Sequence, residues 1–213
     1  MTATPMGAAR SRKVRAVPVA AAVFAVAVLA YLWPVLVGGK VLSPGTQNLV
    51  LSDVLDVLQP WLGFARESIR SGHLPAWNPY TLTGTPFFAN AQTAVLGPFN
   101  VPVWLLPFDY GLGVSAALKL WVAAMGAFFL VRSLGLGLWP GLVAGLAYGF
   151  LPFGILWLQY PHSSVWAFLP WMLWAGERIM REGRARDAAN IHLDASESTA
   201  NLNRQGGGER ASL

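Results

Sequence analysis

Few residues in this chain are equipped for chemistry, because only 12% of them are charged. Asp53 and Asp56, in "SDVLDVLQPWLGFARESIR", sit three apart and so share one face at the start of a helix. A carboxylate held there can accept a proton or hold a divalent cation. The plainer alternative is a complement to the helix dipole, worth ~0.3–1 kcal/mol. Lys119 lies inside an apolar run, where a central lysine costs ~2.5–3.5 kcal/mol unless it snorkels to the nearby surface. Asp109 is its candidate ion-pair partner. His162, in "QYPHSS", joins two apolar runs; it, His73 and His192 show no metal-ligand spacing. The chain carries no P-loop, nucleophile elbow or dinucleotide fingerprint. With no cysteine it has neither a disulfide framework nor thiolate chemistry.

The elements that must position these groups are apolar helices. Hydrophobic residues make up 54% of the chain, and its charged share is about half of the ~25% usual in soluble domains. A membrane protein is the expectation, and its spans are runs near ~20 residues. The net charge of +5 does not point to nucleic acid, since the basic residues flank apolar runs and read as topology signals. Arg10, Arg12, Lys13 and Arg15 precede the run 16–38, which places residues 1–15 in the cytoplasm and sends the chain outward. A cleaved signal peptide is the alternative, but the run exceeds the usual 7–15 residue apolar core and no small-x-small site follows before Lys40. Further spans are expected at Leu112–Val131, Trp139–Leu158 and His162–Gly176.

"VLGPFNVPVWLLPF", Val95–Phe108, decides the topology. As a helix its 14 residues, three of them proline, would reach only about 21 Å, short of a ~30 Å hydrocarbon core. If it crossed, Arg132, Arg178, Arg181, Arg184 and Arg186 would all face outward, against the positive-inside rule. It is therefore expected to be re-entrant or interfacial. The expected fold is an all-α polytopic membrane protein with four spans, a large external loop at 39–111, spans two to four within 112–180, and a polar tail without regular structure at 181–213. Gly141, Gly145 and Gly149, one every fourth residue, predict close helix approach in the third span.

Within the loop, Val54, Leu55, Leu58, Leu62, Ala65 and Ile69 form an apolar stripe opposite Asp53, Asp56, Glu67 and Arg70. This predicts a juxtamembrane helix that Ser52 can cap, Pro60 kinks and Gly72 ends. Beyond it Pro75, Pro79, Pro86 and Pro98 forbid continuous helix, and Gly84 permits a tight turn. Trp77, Tyr80, Phe87 and Phe88 suit the lipid headgroup level.

The order of these residues adds a resemblance. Asp53, the pair Pro60-Trp61, the run Gly72–Tyr80 with its W-N-P-Y block, Gly84–Phe87, Ala89 with Gln92, and Pro98 with Asn100 resemble the N-terminal region of YfhO-type bacterial membrane proteins. "LVRSLGLGLWPGLVAGLAYGF" and "WAFLPWMLWAGERI" look like that family too, so the likeness covers roughly Val35–Arg181. The resemblance implies a glycosyltransferase of the C-type fold in the bacterial inner membrane, taking sugar from a polyprenyl-phosphate donor at the outer face. It makes Asp53 the base or a metal ligand and Asp56 an auxiliary carboxylate. It makes Arg66, Arg70 and Lys119 candidates for the phosphate, and Trp77, Asn78, Tyr80, Gln92 and His162 further substrate contacts. A divalent cation is the one cofactor it leaves open. Members of that family are several times longer, so the expectation is a truncated or frame-shifted piece, or a short relative needing further helices or a partner subunit. The alternatives are a transporter or lipid-handling subunit, with Lys119 and the Gly-rich third span facing a pathway, and a non-catalytic scaffold.

Overall fold

The structure, a computed structural model, describes the backbone of residues 5–42 and 52–210 and the side chains of 16–42 and 52–192. The basic side chains of Arg10, Arg12, Lys13 and Arg15 and loop residues 43–51 lie outside the described residues. The chain divides into two units, 1–171 and 172–213. The regular structure among the described residues is helical apart from one pair of two-residue strands.

The first apolar run forms α1 (Pro5–Tyr31) and, after a break ahead of Pro34, the short α2 (Trp33–Leu36). The second long helix, α5 (Phe108–Ser133), carries thirteen buried residues. The third run, expected as one helix, is two: α6 (Leu138–Gly149) and α7 (Pro152–Leu156). Pro152 causes that break, since the residue ahead of a proline is pushed out of the helical region and Leu151 sits at ψ 134°. Two stretches are long and apolar enough to cross a membrane, Phe108–Ser133 and Leu138–Leu156, with a shorter apolar helix at Ala16–Tyr31.

Packing within the first unit is antiparallel. Ala16, Ala20 and Phe24 of α1 cluster with Ala124, Met125 and Phe128 of α5, while Val28 and Leu32 cluster with Ala116, Leu120 and Ala123. The start of α1 therefore lies at the Arg132 end of α5. The predicted glycine stripe brings α6 against α5: a Cβ on Gly141 would lie 2.9 Å from the Phe128 ring, and one on Gly149 2.9 Å from the Ala124 Cβ. The final helix, α8 (His162–Arg210), is joined to α6 through a proline effect. Pro170 has no N–H to give to the Trp166 carbonyl one turn back, and Tyr148 of α6 donates its hydroxyl to that oxygen at 2.9 Å. Trp121 and Trp171 donate their indole N–H groups to the Ala21 and Val122 carbonyls, tying α5 to α1 and α8 to α5.

The loop helix forms as expected but with a widened turn. Val54–Leu58 is π-helical, with the Gln59 N–H reaching the Val54 carbonyl five residues back, and α3 (Gln59–Arg70) follows. The widening sits immediately ahead of Pro60, whose ring would crowd the Asp56 carbonyl in a regular turn. Gly72, at φ +81°, follows the helix end as predicted. Next come β1 (Trp77–Asn78) and β2 (Thr85–Pro86), an antiparallel pair. Gly84 at φ +114° lies under Trp77, so close that a Cβ would come within 2.6 Å of the indole nitrogen. Val95–Phe108 makes no span-length helix; it holds a 3₁₀ turn at Pro98–Asn100 and α4 (Val101–Leu105). Ala65, Phe87 and Val95, with Trp61, Phe64 and Trp104, give this region a small core of its own.

In the second unit the expectation of a tail without regular structure is corrected: α8 runs to Arg210. No proline interrupts the segment after Pro170, and two i,i+4 pairs support its first part, Arg181 with Glu177 at 3.1 Å and Arg178 with Glu182 at 3.5 Å.

Candidate functional site

Asp53 is exposed on the first turn ahead of α3 and lines a cleft of about 530 Å³. Gln92, Tyr160, His162 and Ser164 add polar groups to its wall, and Val57, Leu58, Ala94, Pro161 and Val165 add apolar surface. Three segments distant in sequence meet here: the π turn, the 3₁₀ turn Ala91–Thr93, and the connection after α7 with the start of α8 that follows it. Asp53 and Tyr160 interact electrostatically. Burial and then the Asp53 carboxylate push the Tyr160 phenol above its ordinary pKa.

The walls are held by specific bonds. Gln59 Nε2 donates to Gln159 Oε1 at 3.2 Å, joining the base of α3 to the post-α7 connection. Ala94 sits in the left-handed region at φ +43°, uncommon for a residue with a Cβ, and Asn100 Nδ2 donates to the Thr93 and Ala94 carbonyls at 3.2 and 2.8 Å. Rings of Trp157, Tyr160 and His162 pack with centroids 4.8–5.4 Å apart. Two voids of about 20 Å³ lie near the cleft, one lined by Gln92, Asn100 and Gln159 and the other by Asn100, Gln159 and Lys119.

The expected site residues separate into two groups. Asp53, Gln92 and His162 come together in the cleft. Asp56 is exposed but is not on its wall, because the π turn changes the angular spacing on which the shared face depended. Arg66 is engaged elsewhere: its guanidinium donates to the Val103 carbonyl at 2.9 Å and the Leu106 carbonyl at 2.7 Å. Pro107 explains this, since it cannot supply the N–H that the Val103 oxygen would receive in a continuing helix. Arg66→Met is accordingly expected to destabilise the chain by about 2–3 kcal/mol in a denaturation series, as two acceptors lose a charged donor. Arg70 is exposed at the end of α3. Trp77, Asn78 and Tyr80 build the hairpin and not the cleft. Asn78 is buried, donates to the Thr81 hydroxyl at 3.1 Å and accepts the Tyr80 N–H at 2.9 Å, and Tyr80 is 85% exposed against the edge of Phe64.

Lys119 corrects two expectations. It does not snorkel, being 5% exposed, and its hydrogen bonds go not to Asp109 but to the Leu158 carbonyl at 3.1 Å and the Ser163 hydroxyl at 2.9 Å. Among the described residues no three His, Asp or Glu side chains form a group able to hold a metal ion. The donor set thus does not favour the divalent cation that two adjacent carboxylates would have suggested.

Tyr160, Ser163 and Ser164 were not singled out from the sequence. The available signal was topological: if 39–111 is external, the connection between the third and fourth spans emerges on the same side, and its polar residues gather with those of the loop. No family model, no curated protein and no solved structure matches this chain.

Proposed function

We propose that this chain carries the donor and acceptor site of a C-type glycosyltransferase, embedded in the bacterial inner membrane through four spans, with the Asp53 cleft at the outer face. The observation that carries the proposal is the placement of an exposed carboxylate on a cleft of about 530 Å³ with amide, phenol and imidazole groups around it. That cavity lies within the 300–1,000 Å³ range of small-molecule sites. Its mixed wall suits a sugar, which has hydroxyls at its edges and apolar C–H faces. The resemblance to YfhO-type proteins supports the same assignment, with Asp53 at the position that fold gives its acidic residue. The antiparallel packing of α1, α5 and α6 supports the proposed sidedness, since the Arg132 end of α5 lies with the start of α1.

In the proposed step Asp53 accepts the proton of an acceptor hydroxyl whose oxygen bonds to the sugar C1. The bond from C1 to the phosphate oxygen breaks, and polyprenyl phosphate leaves with the electron pair. Acceptor and leaving group share the cleft, where the polar wall orients both. The transport alternative rested on Lys119 and the Gly-rich third span facing a pathway; the two hydrogen bonds of Lys119, to the Leu158 carbonyl and the Ser163 hydroxyl, favour the enzymatic reading over it.

The test is transfer of labelled sugar from a polyprenyl-phosphate donor by the whole chain reconstituted in vesicles. Transfer above empty vesicles supports the proposal, and its absence with properly inserted protein rejects the enzymatic reading. A second measurement addresses geography. Because the chain has no cysteine, Asp53→Cys introduces a single thiol, expected to react with a membrane-impermeant maleimide added outside intact cells. Protection until the cells are lysed would place the cleft on the wrong side.

A further inference from the structure

We infer that Lys119 is a positioning residue for the cleft, its buried ammonium holding the connection after α7 so that Tyr160 and His162 stand opposite Asp53. The connection Trp157–Pro161 is a run of turns whose backbone bonds, Tyr160 N–H to the Trp157 carbonyl at 2.9 Å and Ser163 N–H to the Tyr160 carbonyl at 3.2 Å, are local and do not tie it to α5, and α7 and α8 leave chain ends on either side of it. Lys119 reaches both sides at once. One bond goes to the Leu158 carbonyl just past α7, and the other to Ser163 in the first turn of α8. Ser163, fully buried, passes the constraint on, with its hydroxyl 2.5 Å from the Tyr160 carbonyl oxygen. The residues on the cleft wall, Tyr160, Pro161 and His162, are thus bracketed by the two points that the ammonium grips.

Stability does not account for a lysine here. A methionine would fill similar volume without the desolvation that a buried ammonium suffers, and exchanging buried ions for packed apolar groups is often neutral or favourable. What a methionine lacks is donors. Both acceptors that Lys119 serves belong to the post-α7 connection and the helix start that follow one another on the cleft wall.

The test uses a cysteine pair, Asp53→Cys with His162→Cys, in the otherwise cysteine-free whole chain, joined by a short bis-thiol reagent. With Lys119 present the pair is expected to crosslink. Lys119→Met is expected to slow crosslinking about tenfold or more, as two charge-assisted bonds are lost. Lys119→Arg, which retains charge and donors, is expected to stay near the parent rate. Circular dichroism and elution as a single species show that the helices remain assembled. An unchanged crosslinking rate in Lys119→Met overturns the inference, as does equal slowing in Lys119→Arg. If Lys119→Met fails to assemble, Ser163→Ala decides: it removes the hydroxyl that joins the ammonium to the Tyr160 carbonyl, leaving the ammonium its Leu158 acceptor and the residue 163 N–H its own bond to Tyr160, and an unaltered rate there is equally fatal. The readout is distance and not catalysis, so this result stands apart from whether sugar transfer is found.

Discussion

Asp53→Asn is expected to lower sugar transfer by about 10²- to 10⁴-fold, the range that a positioned general base contributes. Asparagine retains the size of the carboxyl group but cannot take the acceptor proton. The side chain is exposed and has no carboxylate-specific helix cap, so stability is expected to change by less than about 0.5 kcal/mol. Insertion and helix content should therefore match the parent chain, which separates lost chemistry from lost fold. Asp56→Asn is the internal control. It changes the same side-chain type three residues away but off the cleft wall, and is expected to leave transfer within a few-fold of the parent. Equal losses in the two variants would indicate a general effect of acidic charge and sink the specific role of Asp53. A spectroscopic companion is available at Tyr160. Removing the Asp53 charge removes the second cause of its raised pKa, so the phenol should ionise at lower pH in Asp53→Asn than in the parent, while burial continues to hold it above the ordinary value.

Gly145→Leu is expected to prevent assembly of the α1–α5–α6 core, read as loss of cooperative thermal unfolding and of protease resistance in detergent. A Cβ at this position would run into the Phe24 ring and lie 2.8 Å from the Ala124 carbonyl oxygen. The second contact is to backbone, which cannot turn aside as a side-chain end can. Overpacking by single methylenes already costs about 1–3 kcal/mol, and a whole isobutyl group placed between three helices exceeds that. Gly145→Ala, the mildest substitution, tests the same point. In an open helix it would stabilise by roughly 1 kcal/mol through backbone entropy, and here the sign is expected to reverse. Gly63 in α3 supplies the contrast, since nothing lies within 4 Å of its would-be Cβ and its backbone is helical. Gly63→Ala is expected to raise stability by about 0.5–1 kcal/mol. If Gly145→Ala and Gly63→Ala moved stability alike, the close approach of α5 and α6 would be refuted.

These positions also divide what was legible in the chain from what was not. The apolar runs, the glycine stripe, the end of α3 near Gly72 and the failure of Val95–Phe108 to make a long helix follow from local rules: hydrophobic period, backbone freedom at glycine, and the missing N–H of proline. These rules act between residues a few positions apart, so one strand of text contains them. The same proximity explains two errors. The Asp53–Asp56 pairing assumed regular α-helical spacing, and Pro60 widened the turn between them. The polar tail looked featureless by hydrophobic period, yet it continues a helix that no proline after Pro170 interrupts, with i,i+4 charge pairs at its beginning.

Partner choice was decided only in three dimensions. Lys119 and Arg66 were each legible as a cation in search of an anion, and the sequence offered Asp109 or a phosphate. Packing instead brought neutral acceptors to them, three backbone carbonyls at helix ends and the Ser163 hydroxyl, drawn from segments 37 to 44 residues away. A hydrogen bond is satisfied by whatever group lies within about 3 Å in the folded chain, and composition does not say which group that will be. The chain by itself determined where the long apolar helices form and that Asp53 stands at the start of the loop helix; tertiary contact determined that Asp53 shares a cleft with Gln92, Tyr160 and His162, because side chains from three distant segments meet only when the helices between them have packed.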